Sequence, residues 1–321
     1  MDYQLEESFE IGIRPKFLKE YIGQENIKKQ LSLFLEASKK KKQVLDHILI
    51  SGPPGLGKTT LAQIIANELG KNIVYTSGPI LEKKGDIAGI LSSLEEGDIL
   101  FIDEIHRLNP TVEETLYPAL EDFKLDIIIG KGTSSRSVRI EIPPFTLIGA
   151  TTKTGLLTSP LLSRFGIVLK IDYYEPELLT KVILRTAKIL SINITVEGAN
   201  QIALRSRGTP RIANRLLKRV HDYAVVNNIN LIDEDVSIKA LEFLDIDENG
   251  LDHLDRKYLS VLIDVFNGKP VGLNTLSSAL SESKNTIEEV IEPYLLREGF
   301  IQKTPKGRIP TEKALEKFKK I

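Results

Sequence analysis

Short apolar runs alternate with segments of helical period over the first half of this chain, and the helical period takes over in the second. Residues 44–50, 72–76, 99–102, 145–150 and 167–171 are compact apolar runs, as parallel strands covered on both faces must be. Between them Ile27, Leu31, Phe34 and Leu35 recur at helical spacing, 61–69 is helix-like, and a glycine-broken helical region runs to Glu96. Residues 125–130 and 137–142 are two β-like runs around a polar, glycine-containing 131–136, and read as a hairpin. Its three consecutive isoleucines, Ile127, Ile128 and Ile129, are either buried against the domain or displayed to a partner; the pattern leaves both open.

From 176 onward the period is helical: 176–190, 196–207, a helix opened by Thr209 as cap with Pro210 in its first turn, and 233–241. Residues 245–250 are polar and read as a linker. Beyond it, helices over 256–266, 274–281 and 286–298 precede two short β-like runs around Pro305 and Arg308, the order of a winged helix-turn-helix. The expected organisation is a loose acidic tail over 1–13, an α/β domain with a parallel sheet over 14–175, a small helical domain over 176–246 and a winged-helix domain over 247–321.

Candidate chemistry concentrates at Gly52-Pro53-Pro54-Gly55-Leu56-Gly57-Lys58-Thr59-Thr60, which has phosphate-loop spacing with a strand before it and a helix after it. Glycines let successive backbone N–H groups curl towards phosphate oxygens at the positive end of a helix dipole. Lys58 is placed to reach the β- and γ-phosphates and the Thr59 hydroxyl to ligate Mg²⁺. About 45 residues on, the apolar run 99–102 ends in Asp103 and Glu104, at the strand end where open α/β sheets place their ligands. There Asp103 is expected to hold Mg²⁺ and Glu104 to polarise the attacking water. Arg164, alone in a tight segment before a strand, is a candidate arginine finger. ATP and Mg²⁺ are the cofactors implied.

Composition narrows the rest. The chain of 321 residues is 41% hydrophobic and has no cysteine, which excludes disulfides, thiolate nucleophiles and cysteine-ligated metals. No apolar run approaches the roughly 18 residues of a membrane span, and the first ten residues are acidic where a signal peptide would be basic. A cytoplasmic protein without membrane contact is expected. The net charge of −1 hides an asymmetry: residues 256–321 carry twelve Lys/Arg against eight Asp/Glu. Within them Lys303, Lys306 and Arg308 cluster on the wing and read as phosphate contacts, which dominate DNA affinity without reading bases. Lys39 to Lys42, by contrast, read as the solvated end of a helix whose dipole they favour.

These motifs resemble the RuvB family of AAA+ ATPases, the motors of Holliday-junction branch migration. The matching stretches are RPKFLKEYIGQ (14–24), SGPPGLGKTTLA (51–62), ILFIDEIHRL (99–108), TLYPALEDFKLDIIIG (115–130), PPFTLIGATT (143–152), RFGIV (164–168), RGTPRIANRLLKRV (207–220) and EPYLLREGFIQKTPKGR (292–308). The resemblance implies that Arg14, Tyr21, Ile22 and Tyr174 belong to the nucleotide pocket and that Thr151 or Thr152 senses the γ-phosphate. Arg211 would contact nucleotide from the helical lid of its own subunit, and Arg164 would reach a neighbour's site within a hexameric ring around duplex DNA. It further implies that the isoleucine hairpin docks a RuvA tetramer, with the resolvase RuvC a looser partner, in homologous recombination and the DNA-damage (SOS) response. Two positions depart from the family pattern, Leu162 and Lys153, where arginine is common: Leu162 removes a second cation close to the finger, while Lys153 keeps the charge but loses bidentate geometry. A clamp-loader or initiator-type ATPase, and a winged-helix regulator that only senses nucleotide, are the competing readings. The first would read bases, and the second would turn over negligibly.

Overall fold

The structure is a computed structural model and describes residues 12–129 and 136–318; for 127–129 and 136–137 it describes the backbone alone. Nearly all of the expected tail, and the side chains of Ile127, Ile128 and Ile129, lie outside the described residues. The chain forms two compact units. One runs to Leu178 and includes Thr209–Arg211; the other takes Leu179–Gly208 and Ile212 onward.

The first unit is built on five parallel strands: β1 (Ile48–Ser51), β2 (Ile73–Ser77), β3 (Ile99–Asp103), β6 (Thr146–Thr151) and β7 (Ile167–Lys170), in the order β2-β3-β6-β1-β7. The central strands β1 and β6 are buried at every position, which explains why their sequences are apolar without alternation. The edge strand β7 alternates buried and exposed residues. Register places Ser51 beside Thr151, and Ile102 beside Gly149, so β1, β3 and β6 end together on one edge. Helices Glu25–Lys41, Lys58–Leu69, Lys84–Ser93 and Pro110–Asp122 belong to the same unit. A core of Leu49, Leu100, Ile102, Leu147, Leu116 and Leu161, all fully buried, joins the sheet to its helices. Two further strands, β4 (Lys124–Ile129) and β5 (Arg136–Glu141), pair with each other as an antiparallel hairpin outside the main sheet.

Helices Pro176–Ile189, Val196–Leu204, Pro210–Val226 and Glu234–Phe243 follow, the greater part of each in the second unit; Thr195 and Asp233 cap two of them through their side chains. The winged-helix part follows, with helix His253–Ser260 continuing as a π-helical turn Val261–Val265, helix Leu273–Leu280, and a third helix through Lys284–Thr286, Ile287–Ile291 and Glu292–Arg297. The wing is β8 (Ile301–Thr304) against β9 (Gly307–Pro310), closed by a bridge between Val271 and Arg308. A last helix, Glu312–Phe318, was not expected from the sequence. Tyr258, Leu262, Leu276, Leu295 and Phe300, all fully buried, form this domain's core.

The stretch 245–250, expected as a linker, is a bonded turn. The Asp247 carboxylate accepts from the N–H groups of Asn249 and Leu251 at 2.9 Å each, and Arg256 donates to the Asp245 carboxylate. Its polar residues bind their own backbone, the Asx geometry that polar composition alone does not separate from solvated chain.

Candidate active site

Because β1, β3 and β6 are parallel and in register, the loops after them open on the same sheet edge. The loop after β1 is 52–57, and helix Lys58–Leu69 begins directly behind it. Gly52 and Gly57 are required there. Gly52 lies at φ +151°, where an added Cβ would come within 2.5 Å of the Ile171 carbonyl oxygen, and Gly57 lies at φ +91° as the helix cap.

Lys58 is 8% exposed, and its ammonium donates to the carbonyl oxygens of Gly52 and Pro53, both at 2.9 Å. Burial pulls its pKa below the ordinary lysine value; Asp103 and Glu104 oppose that shift and Arg211 adds to it. Lys58 is thus within electrostatic reach of Asp103, Glu104 and Arg211. Arg211 reaches it because residues 209–211 pack with the first unit: its N–H donates to the Gly55 carbonyl oxygen at 3.3 Å.

Asp103 closes β3 and accepts the N–H of Glu104 at 2.9 Å on one carboxylate oxygen. The Thr59 hydroxyl stands in the first turn of the loop's helix. A carboxylate and a hydroxyl are all-oxygen donors and few, which suits Mg²⁺, an ion that keeps water and phosphate in most of its coordination positions. These residues fit the ion. Glu104 is held in the left-handed region at φ +47°, a conformation that costs a non-glycine residue of order 1–3 kcal/mol and gathers at functional sites. Its carboxylate accepts from Arg107 Nη1 at 2.8 Å.

The two threonines after β6 are placed differently. Thr151 is 1% exposed and its hydroxyl is engaged by His106 Nδ1 and by the Lys153 N–H, each at 3.0 Å; Thr152 is exposed. Desolvation holds His106 below the usual histidine pKa. Near the Gly57 end of the loop, Tyr21 and Tyr174 are both 5% exposed and adjacent, while Arg14 and Ile22 are half-buried. The Tyr21 hydroxyl makes no well-formed hydrogen bond and lies 3.9 Å from where a Gly57 Cβ would be. Gln24 Nε2 donates to the Asp172 carbonyl oxygen at 2.7 Å and ties this segment to the one carrying Tyr174.

On the wing the three candidate cations separate. Arg308 is 13% exposed and its guanidinium donates to Glu292, which is fully buried, at 2.7 Å, and to Glu288 at 2.9 Å. Lys303 also reaches Glu292, at 2.6 Å, from a half-exposed position. Lys306 sits exposed in the turn between β8 and β9.

Three family models match consecutive segments: the P-loop domain of the Holliday junction DNA helicase RuvB over residues 13–171, the RuvB AAA lid domain over 174–247 and the RuvB C-terminal winged helix domain over 248–319. The chain belongs to the RuvB family. Among solved structures it is similar to the RuvB Holliday junction branch migration motor of Thermotoga maritima, at 54% identity over 97% of this chain and 99% of that one, with a TM-score of 0.86. A proline-to-glycine variant of that protein matches at 55% identity over 95% and 98%, TM-score 0.86. An alanine-to-serine variant matches at 54% over 96% and 99%, TM-score 0.87.

In this RuvB family member the candidate finger, Arg164, lies against its own chain. It is 16% exposed, pairs with Glu121 at 2.8 Å, donates to the Pro160 carbonyl oxygen, and stacks 4.2 Å from the Tyr117 ring centroid. Its Nε is buried without a partner. Sequence reasoning missed His106 and Arg107, although their signal was present: Arg107 follows Glu104 at i+3, one turn on. Among the described residues no three His, Cys, Asp or Glu side chains cluster as a metal site, and no helix is long and apolar enough to cross a membrane.

Proposed function

We propose that this chain is an ATP-driven motor of Holliday-junction branch migration, acting as a homohexameric ring on duplex DNA in recombination and recombinational repair in the cytoplasm. The observation that carries the reading is the meeting of Lys58, Asp103, Glu104 and Arg211 at one sheet edge in a chain that also bears a winged-helix domain. ATP binds with its phosphates on the loop from Gly52 to Thr60 and its base near Arg14, Tyr21, Ile22 and Tyr174. Thr59 and Asp103 would hold Mg²⁺, which would supply positive charge beside the phosphates. Glu104 orients water, Thr152 presents the exposed hydroxyl towards the γ-phosphate, and Arg164 serves a neighbouring subunit's site.

DNA phosphates are met by Lys306, the wing cation left exposed, with Lys303 beside it. Arg308 acts indirectly, by locking the wing to the third helix through Glu292. The β4–β5 hairpin docks a junction-binding RuvA tetramer through Ile127, Ile128 and Ile129, and RuvC is a looser partner. ATPase rate against protein concentration tests the shared site, with and without duplex DNA, for wild type, Arg164→Ala, Lys58→Ala and an equal mixture of the two variants. Turnover that rises with concentration, vanishes in each variant and partly returns in the mixture is expected. Concentration-independent turnover untouched by Arg164→Ala would place a complete site in one chain and favour a nucleotide switch.

A further inference from the structure

Arg207 stands between helices Val196–Leu204 and Pro210–Val226, at φ +51° and with its side chain 15% exposed. Among the described residues its guanidinium bonds to the winged-helix part. Nε donates to the Gly250 carbonyl oxygen at 3.0 Å, and Nη2 donates to Asp252 at 3.0 Å and to Asp255 at 2.5 Å. The cation also lies over the Tyr294 ring, 4.8 Å from its centroid. The contact is answered from the other side of the junction: Arg297 Nη1 donates to the Arg207 carbonyl oxygen at 3.0 Å and stacks on the same ring at 5.1 Å. The Tyr294 hydroxyl donates to the Asn249 carbonyl oxygen at 2.6 Å, and Gly250 packs so closely on Arg205 that a Cβ there would meet its carbonyl oxygen at 2.9 Å.

Two of the acceptors have a second duty. Asp252 caps helix His253–Ser260, the first of the winged domain, and Asp255 completes the capping box by accepting the Asp252 N–H. The arginine therefore grips the first turn of the domain it holds. Domains joined by a short polar segment ordinarily move as separate bodies. Here the polar segment is itself a bonded turn, and the planar fork that bridges it is desolvated and stacked, a geometry lysine does not reproduce. Arg207 precedes Arg211 by four residues, with Gly208 at φ +68° between them.

We infer that Arg207 is a positioning residue that clasps lid and winged helix into one rigid lever, so that a displacement at Arg211 is delivered to DNA instead of being lost in a hinge. The clasp stands on the geometry above; the lever rests also on the motor reading.

The chain has no cysteine, so spin labels can be placed at will. Val226→Cys on the lid and Lys284→Cys on the winged domain, both exposed, report the distance between them by double electron–electron resonance. The parent protein is expected to give one narrow distribution, Arg207→Ala and Asp252→Asn broad ones, and Arg207→Lys an intermediate width. Asparagine remains a good helix cap, so Asp252→Asn tests the clasp even if Arg207→Ala does not fold. An unchanged width in a folded variant overturns the clasp. Basal ATP turnover should stay within about twofold, while base pairs migrated per ATP fall about tenfold. Broad distributions with unchanged migration per ATP overturn the lever. A parent protein that hydrolyses ATP without moving junctions overturns the motor reading, and the distance widths still decide the clasp.

Discussion

The Glu104 carboxylate is bonded to the Arg107 guanidinium at 2.8 Å, across one turn of a short 3₁₀ helix. The glutamate proposed to orient water is thereby tethered to one side. Both partners are about half exposed, so the pair is worth at most about 1 kcal/mol, or about fivefold in rate. Arg107→Ala should raise basal ATP turnover by up to about fivefold, measured at saturating ATP. A slower variant would mean that Arg107 sets the productive orientation.

Thr151 and Thr152 should separate by phenotype. Thr151→Val takes away the buried hydroxyl that His106 Nδ1 and the Lys153 N–H both engage, a loss of about 1–3 kcal/mol of stability, seen as a lower urea midpoint. Thr152→Val removes an exposed hydroxyl, so the melt should not change while kcat falls at least about tenfold, with KM for ATP little altered.

The wing cations should divide in the same way. Removing Arg308 strips a fully buried carboxylate of one partner, and Arg308→Ala should destabilise the winged domain by about 3–5 kcal/mol. Lys306→Ala should leave the melt alone, weaken duplex binding alike for all sequences, and reduce the slope of log affinity against log salt by about one.

Asp255 supplies a pH dependence. Burial outweighs the pull of Arg207 and pushes its carboxyl up to about 6, so the folded chain holds this proton more tightly than the unfolded one. Its contribution to stability is therefore fully present below about pH 4 and lost as pH rises through about 6. The charge needed for the pair with Arg207 has the opposite dependence. The groups facing it are Arg207 from the lid, and Asp252 and Tyr294 within the winged domain. Going from pH 7.5 to 5.5 should broaden the lid-to-wing distance distribution while this group costs no thermal stability. Asp255→Asn should abolish that pH step.

Local chemistry was legible where one short segment carries it. The run from Gly52 to Thr60 states its loop, its lysine and its helix within nine residues, and 99–104 states a strand and its acids together. What escaped depends on partners far along the chain. Arg308 reads as a free wing cation until Glu292, sixteen residues earlier on another element, is seen to hold it. Arg207 reads as a surface arginine until the fold brings Asp252 and Asp255 to it, 45 and 48 residues on. Net charge counts both and pairs neither. The choice between Thr151 and Thr152 turns on which of two neighbours faces inward at a strand end, and a one-residue shift of register reverses it.

Among the described residues β4 and β5 pair only with each other; at the base of the hairpin the Ile142 N–H donates to the Phe123 carbonyl oxygen at 2.9 Å, Leu125 and Ile142 enter the core, and Ile140 packs against it. Substitutions at the exposed hairpin positions Asp126 and Arg139 should therefore leave the strands of the main sheet in place. Under the proposed reading, in which this hairpin meets the partner, recognition and energy conversion would sit on separate parts: redrawing one loop would change what the motor engages while the engine stays as it was.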